Sequence, residues 1–178
     1  MYQVFEVKQV IHAIENLLEQ ICCSSTERNK TKYISSKGKL LEQRIVDLFS
    51  NFLGSDFKIY RGYYVDGCEQ DILILWKNYA FIIEAKGYSL HEPLRNPEKA
   101  FIRIKNDFNA CIGYGYTQTR RIEKKFIDGV FLDITDKDGK LIARIDTTKY
   151  EQDFSIIVNI ESFGQIQCDR SEEHTSEL

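Results

Sequence analysis

Apolar residues recur at three- and four-residue spacing from Gln3 to about Cys23 (Val4, Val7, Ile11, Ile14, Leu18, Ile21), the period of an amphipathic helix. Ser24 to Ser36 is polar and basic without such a period, which predicts a linker or loop. A second stripe, Leu41, Ile45, Leu48, Phe49 and Phe52, predicts a helix over 37–53 that Gly54-Ser55 ends. The pattern then changes to strands. Phe57 to Val65 reads as one strand and Asp66-Gly67 as a turn, and the stretch from Glu69 to Lys86 holds two apolar, β-branched runs around a polar break at Lys77-Asn78, which reads as a hairpin. Gly87 to Pro97, with Pro93 and Pro97, is a loop.

A third helix is expected from Glu98 to about Tyr114, with Ala100, Phe101, Ile104, Phe108 and Cys111 inward and Arg103, Lys105 and Asp107 outward. Gly113 and Gly115 should loosen its end. Three short strands follow, Gly129 to Ile134, Leu141 to Asp146 and Phe154 to Ile160, with Asp136-Lys-Asp-Gly139 turning between the first two, and they extend the sheet or form a second small one. Helices and strands mixed in this way predict an α/β fold, a central mixed β-sheet flanked by α-helices.

The hairpin carries the chemistry. With the turn centred on Lys77-Asn78, Trp76 faces Tyr79, Asp71 faces Glu84 and Glu69 faces Lys86, so four charged residues share one face. Directly opposite residues have Cβ atoms roughly 5 Å apart, and like charges there are destabilising. The runs Ile72 to Leu75 and Phe81 to Ile83 are apolar on both faces, which suits a central strand pair covered by helices. Carboxylates at the end of such a pair are costly unless paired or ligating a metal. Hard oxygen ligands suit Mg²⁺ or Mn²⁺. Lys86, two residues beyond Glu84, lies where an ammonium can hold an attacking water or a phosphate oxygen. The plainer alternative is an exposed hairpin with cross-strand ion pairs, Glu69 with Lys86 and Asp71 with a nearby arginine, which is worth little.

Composition narrows the function. The 178 residues suit one domain with a sizeable core, and a formal net charge of -3 gives no global positive field to attract nucleic acid, so such contacts must use local patches. Five cysteines, none at C-x-x-C spacing, argue against a disulfide framework and a structural zinc site and fit a reducing cytosol. Without an apolar run near the roughly 20 residues of a membrane span, or the charged-then-apolar order of a signal peptide, the expectation is a soluble cytoplasmic protein with no membrane partner.

Asp71 followed by Glu84-Ala85-Lys86 closing an apolar strand resembles the Asp…(Asp/Glu)-x-Lys signature of the restriction-endonuclease-like nuclease superfamily. The Gly38-x-x-x-Glu42 helix start and the run Phe81 to Gly87 are also similar to nuclease-related domains within it, and the likeness spans Lys37 to Arg121. The resemblance implies a restriction-endonuclease-like core and a Mg²⁺-dependent endonuclease acting on DNA, with RNA left open. It implies that Asp71, Glu84 and the Ala85 carbonyl ligate the metal, that Lys86 positions the attacking water, and that Glu42, near the positive end of its helix, binds a second metal or orients its waters. Arg103 and Gln118 are further candidates beside the site, and Arg120, Arg121, Lys124 and Lys125 form a basic cluster able to neutralise backbone phosphates. His91, in the loop at the mouth, could serve as an acid or a phosphate contact. Two rival readings are a catalytically idle nuclease-fold module that binds nucleic acid and a structural interaction domain.

The expected organisation is therefore an N-terminal helix and linker over 1–36, a nuclease-like domain over 37–169 and a tail over 170–178. That tail, Arg-Ser-Glu-Glu-His-Thr-Ser-Glu-Leu, lacks apolar periodicity and resembles an in-frame translation of a sequencing-adapter oligonucleotide. It is expected to be non-native, with the natural sequence continuing past Asp169.

Overall fold

A computed structural model describes residues 7–24, 26–87 and 96–160, which divide between Leu40 and Leu41 into two units. His91 and the 170–178 tail lie outside the described residues.

In the first unit, helix α1 (Val7–Ser24) is followed by the start of α2 (Glu27–Leu53). The linker expected over Ser24 to Ser36 is thus mostly helix. Thr26 caps it, its hydroxyl accepting from the Asn29 N–H at 3.2 Å, and Glu27 complements the dipole in the first turn. A polar helix started by its cap shows no apolar stripe, so periodicity alone misses it. The stripe of α1 keeps Ile11, Ile14, Leu18 and Ile21 more than half exposed. Glu19 of α1 pairs with Lys37 at 3.3 Å.

The second unit is α/β, with a six-stranded mixed sheet in the order β5-β4-β1-β2-β3-β6. The antiparallel strands β1 (Phe57–Val65), β2 (Cys68–Trp76) and β3 (Tyr79–Lys86) follow one another directly. Asp66 and Gly67 both take positive φ, which makes the first hairpin turn tight enough for two residues. A helical run then comprises α3 (Pro97–Phe108), a wide π turn (Asn109–Gly113) and α4 (Tyr114–Ile127). Asn96 starts it by accepting from the Lys99 N–H, with Pro97 at the first helical position. The chain passes on through β4 (Phe131–Thr135) and β5 (Leu141–Asp146), joined by the Asp136 turn, and returns in β6 (Gln152–Asn159) to pair parallel with β3. No helix among the described residues is long and apolar enough to cross a membrane.

Strand alternation gives the sheet two dry faces. Ile72, Ile74 and Ile83 pack with Ile45 and Leu53 of α2, while Leu73, Leu75, Ala80 and Ile82 pack with Ile122 and Phe126 of α4. On β1 the alternation switches at Gly62, whose φ of 51° only glycine adopts freely: Phe57 and Ile59 lie with the α2 cluster, Tyr63 and Val65 with the α4 cluster.

Some helix faces are rotated from expectation. On α2 the inward stripe is Leu41, Ile45, Phe49 and Leu53, an i+4 row, and Leu48 and Phe52 are exposed. On α3 the covered row is Ala100, Arg103, Ile104, Asp107 and Phe108, so Asp107 is 4 % exposed and Phe101 faces out. Gly113 and Gly115 do not end the helix. The wide turn absorbs the extra residue, and the helix continues to Ile127.

Candidate active site

The β2–β3 register pairs Ile72 with Ile83 through Trp76 with Tyr79, the pairing that a turn at Lys77-Asn78 requires. The backbone ladder stops at Ile72 and Ile83. Beyond it Asp71 Oδ2 accepts a hydrogen bond from the Ala85 N–H at 2.8 Å, a side chain standing in for a backbone carbonyl. Asp71 continues the row of Leu73 and Leu75, and Glu84 and Lys86 continue the row of Ala80 and Ile82, so all three point to the α4 side of the sheet.

Glu84 is 1 % exposed. Burial, and after it the neighbouring Asp71 charge, push its carboxyl from the usual value near 4.5 up to about 7, against the opposing pull of Lys86. The Asp71 and Glu84 carboxyls are also within hydrogen-bonding reach of each other. Lys86 Nζ lies 3.0 Å from Glu84 Oε2, donates to Gln118 Oε1 and stands 5.1 Å from the centre of the Tyr114 ring. Its stem runs past Gly115 of α4, where a Cβ would come within 3.1 Å of both Lys86 Cε and Ile157 Cγ2. Here glycine is needed for close approach: helix α4 and β6 form a slot that holds the lysine.

Tyr63 completes the surroundings. Its buried hydroxyl has no hydrogen-bond partner among the described residues, and burial followed by the Glu84 and Asp71 charges raises its pKa. Gln70, opposite Tyr63 on β2, likewise has a buried Oε1 without a partner. Such atoms are rare in folded proteins. A cavity of about 320 Å³ opens alongside, lined by Cys68, Glu69, Asp71, Tyr114, Gln118 and Arg121.

The structure therefore brings together Asp71, Glu84, Ala85, Lys86 and Gln118, with Arg121 at the cavity wall. Glu42 is placed elsewhere: α2 starts at Glu27, so Glu42 sits mid-helix rather than near the positive end, its helix packs on the other face of the sheet, and its carboxylate lies 4.0 Å from the Arg61 guanidinium. Among the described residues no three or more His, Cys, Asp or Glu side chains form a group that could hold a metal, so Glu42 does not join Asp71 and Glu84 in a three-carboxylate set. Glu69 is not the partner of Lys86. It sits opposite Tyr64 on β1 and bonds with that tyrosine's side chain, beyond the point where the β2–β3 ladder ends. Of the basic candidates, Arg120 pairs with Glu123 at 2.9 Å, Lys125 pairs with Asp66 at 2.8 Å, Lys124 is exposed and Arg103 lies half-buried on α3.

Tyr63, Tyr114 and Gly115 were not legible as site residues, because their roles arise from packing between distant segments. The one local signal is Gly113-Tyr-Gly-Tyr116, an unusual concentration of glycine and aromatic residues within a helix. Comparison with family models, with curated proteins and with solved structures returns no match for this chain.

Proposed function

We propose that this chain is a metal-dependent endonuclease that hydrolyses DNA phosphodiester bonds on a restriction-endonuclease-like core. The observation that carries the reading is the convergence of Asp71, Glu84 and Lys86 at the buried open end of a hairpin, with Glu84 held at a raised pKa by burial and by its fellow carboxylate. The donor set fits a hard divalent cation. Two carboxylates in contact repel until a cation or a proton comes between them, and Mg²⁺ commonly takes one or two carboxylates and fills its shell with water and phosphate oxygens. Asp71, Glu84 and the Ala85 carbonyl would hold Mg²⁺ or Mn²⁺. When bound, such an ion offsets charge on a reacting phosphate and makes water a better nucleophile.

The remaining chemistry belongs to the chain. Lys86 is fixed by Glu84, Gln118 and the slot at Gly115, and its ammonium would stabilise an attacking water and a phosphate oxygen. Gln118 orients the lysine and contributes no charge. Glu42, facing Arg61, would act through solvent rather than by direct ligation. Cytoplasmic residence belongs to the same proposal, supported by free thiols at Cys22, Cys23, Cys68 and Cys111.

Incubating the purified chain with supercoiled DNA, linear DNA and RNA, each with Mg²⁺ and with EDTA, tests the reading. Cleavage of DNA that requires the metal is expected. Intact DNA under every condition, or equal cleavage in EDTA, would overturn it.

A further inference from the structure

The cavity beside the carboxylates has a composition that the hydrolytic reading does not use. At about 320 Å³ it lies at the lower end of the roughly 300–1,000 Å³ typical of small-molecule pockets. One wall is the Tyr114 ring, 60 % exposed although Lys86 approaches it. Another is Arg121. Its neighbours Arg120 and Lys125 are spent on Glu123 and Asp66, but Arg121 makes no ion pair among the described residues. Asp71 belongs both to this cavity and to the reaction site, so a guest seated here lies against the carboxylate pair.

We infer that this cavity receives one unstacked nucleotide, its base on Tyr114 and a phosphate on Arg121, so that the preferred substrate is single-stranded rather than duplex nucleic acid. The inference rests on the phosphodiesterase reading of Asp71, Glu84 and Lys86. A planar π system and an unspent guanidinium are the two groups that recognise a nucleotide irrespective of sequence, through stacking and through charge-assisted bonds to phosphate. In a duplex the bases are already stacked inside, and reaching Tyr114 would require flipping one out at a cost in pairing and stacking. Duplex binding instead relies on many cations along the backbone. The net charge of -3 and the pairing of Arg120 and Lys125 leave Arg121 and the exposed Lys124 as the cations α4 offers, few for a duplex backbone.

The test is fluorescence anisotropy with the full chain in EDTA, using one labelled oligonucleotide as a single strand and as a duplex, so that binding is read without cleavage. The single strand should bind more tightly. Tyr114→Ala should weaken it by about 5- to 150-fold, the range typical of losing one base–aromatic stack, while leaving duplex affinity unchanged, and Tyr114→Phe should retain it. Arg121→Gln should weaken the single strand and reduce the slope of log affinity against log salt by about 0.7. Equal affinity for both forms, or a Tyr114→Ala protein that binds the single strand as the wild type does, would overturn the inference. Cleavage assays in Mg²⁺ separate the two readings. DNA cleavage without strand preference refutes the cavity assignment alone, whereas Tyr114-dependent single-strand binding with no cleavage upholds the cavity and refutes the nuclease.

Discussion

At the turn of the β2–β3 hairpin, Trp76 and Tyr79 are paired across the strands with ring centres 5.8 Å apart, and Lys77 Nζ sits 4.5 Å from the indole centre. At the open end of the same hairpin, the residues in the corresponding opposed positions are Asp71 and Glu84, with Lys86 as the cation bonded to Glu84. Both ends descend from one run of apolar strand, and the covering that stabilises its middle acts oppositely on its termini. Aromatic rings gain from being packed. A carboxylate loses hydration and its pKa climbs. The burial of Glu84 needs no special backbone on the hairpin itself: a charge placed one step beyond a dry ladder inherits the dryness.

The largest effect should come from the ladder itself. Ile74 is fully buried against the α2 side, so Ile74→Ala should cost about 2–5 kcal/mol in urea unfolding while leaving Mg²⁺ affinity intact in protein that remains folded. A loss of metal affinity there would mean the two ends are not separable. Next, Lys86→Gln should leave a folded protein that binds Mg²⁺ and DNA but cleaves roughly a hundredfold more slowly, the scale of losing one charge-stabilising group. Wild-type rates would make Lys86 only the partner of a buried acid.

The pH dependence follows from Glu84. Its folded pKa of about 7 lies above the usual value near 4.5, so between those limits the folded protein keeps a proton that the unfolded chain has released. This contribution is fully present below about pH 4.5 and is lost as pH rises through about 7, no more than about 3 kcal/mol in all. In EDTA the melting temperature should carry that downward component over this window, and Glu84→Gln should remove it. A variant whose profile parallels the wild type's would contradict the assignment. The smallest effect is expected from Gly115→Ala. The new methyl would crowd Lys86 Cε and Ile157 at 3.1 Å, yet a better helix former offsets part of the cost, so stability should barely change. Cleavage should fall by less than the roughly hundredfold that a 1 Å misplacement can bring, and unchanged cleavage would show that the slot does not position the lysine.

How much of this could be read from the chain depends on how local each cause is. The strands, both hairpin turns and the Asp71–Glu84 apposition were legible because period-2 patterning and a turn fix register within a few residues. The helix over Glu27 to Ser36 was not, since its cap, not an apolar face, starts it. Leu48 and Phe52 fit an inward stripe on periodicity alone, but the i+4 row from Leu41 to Leu53 wins, because several apolar rows compete on one helix and only the sheet chooses among them. Lys86 was expected opposite Glu69, but the ladder ends before that pair and Gln118, 32 residues away, takes the ammonium. Gln118 entered as a candidate only through the resemblance, and its bond to Lys86 has no signature in sequence. The switch of faces at Gly62 was equally hidden, because a lone glycine within a strand pattern does not announce its φ.

The central claim is that the Asp71–Glu84 pair is a metal site with hydrolytic purpose. Cleavage of single-stranded and of supercoiled DNA by the wild type and by Asp71→Ala, measured side by side across a Mg²⁺ titration, tests it most directly. Asp71→Ala removes one carboxylate and with it the bond to the Ala85 N–H, and relieves the repulsion on Glu84, so the metal-free protein should stay folded. The account predicts Mg²⁺-dependent cleavage by the wild type and none by the variant. Equal cleavage by the two proteins would contradict it, and so would DNA left intact by the wild type at every Mg²⁺ concentration.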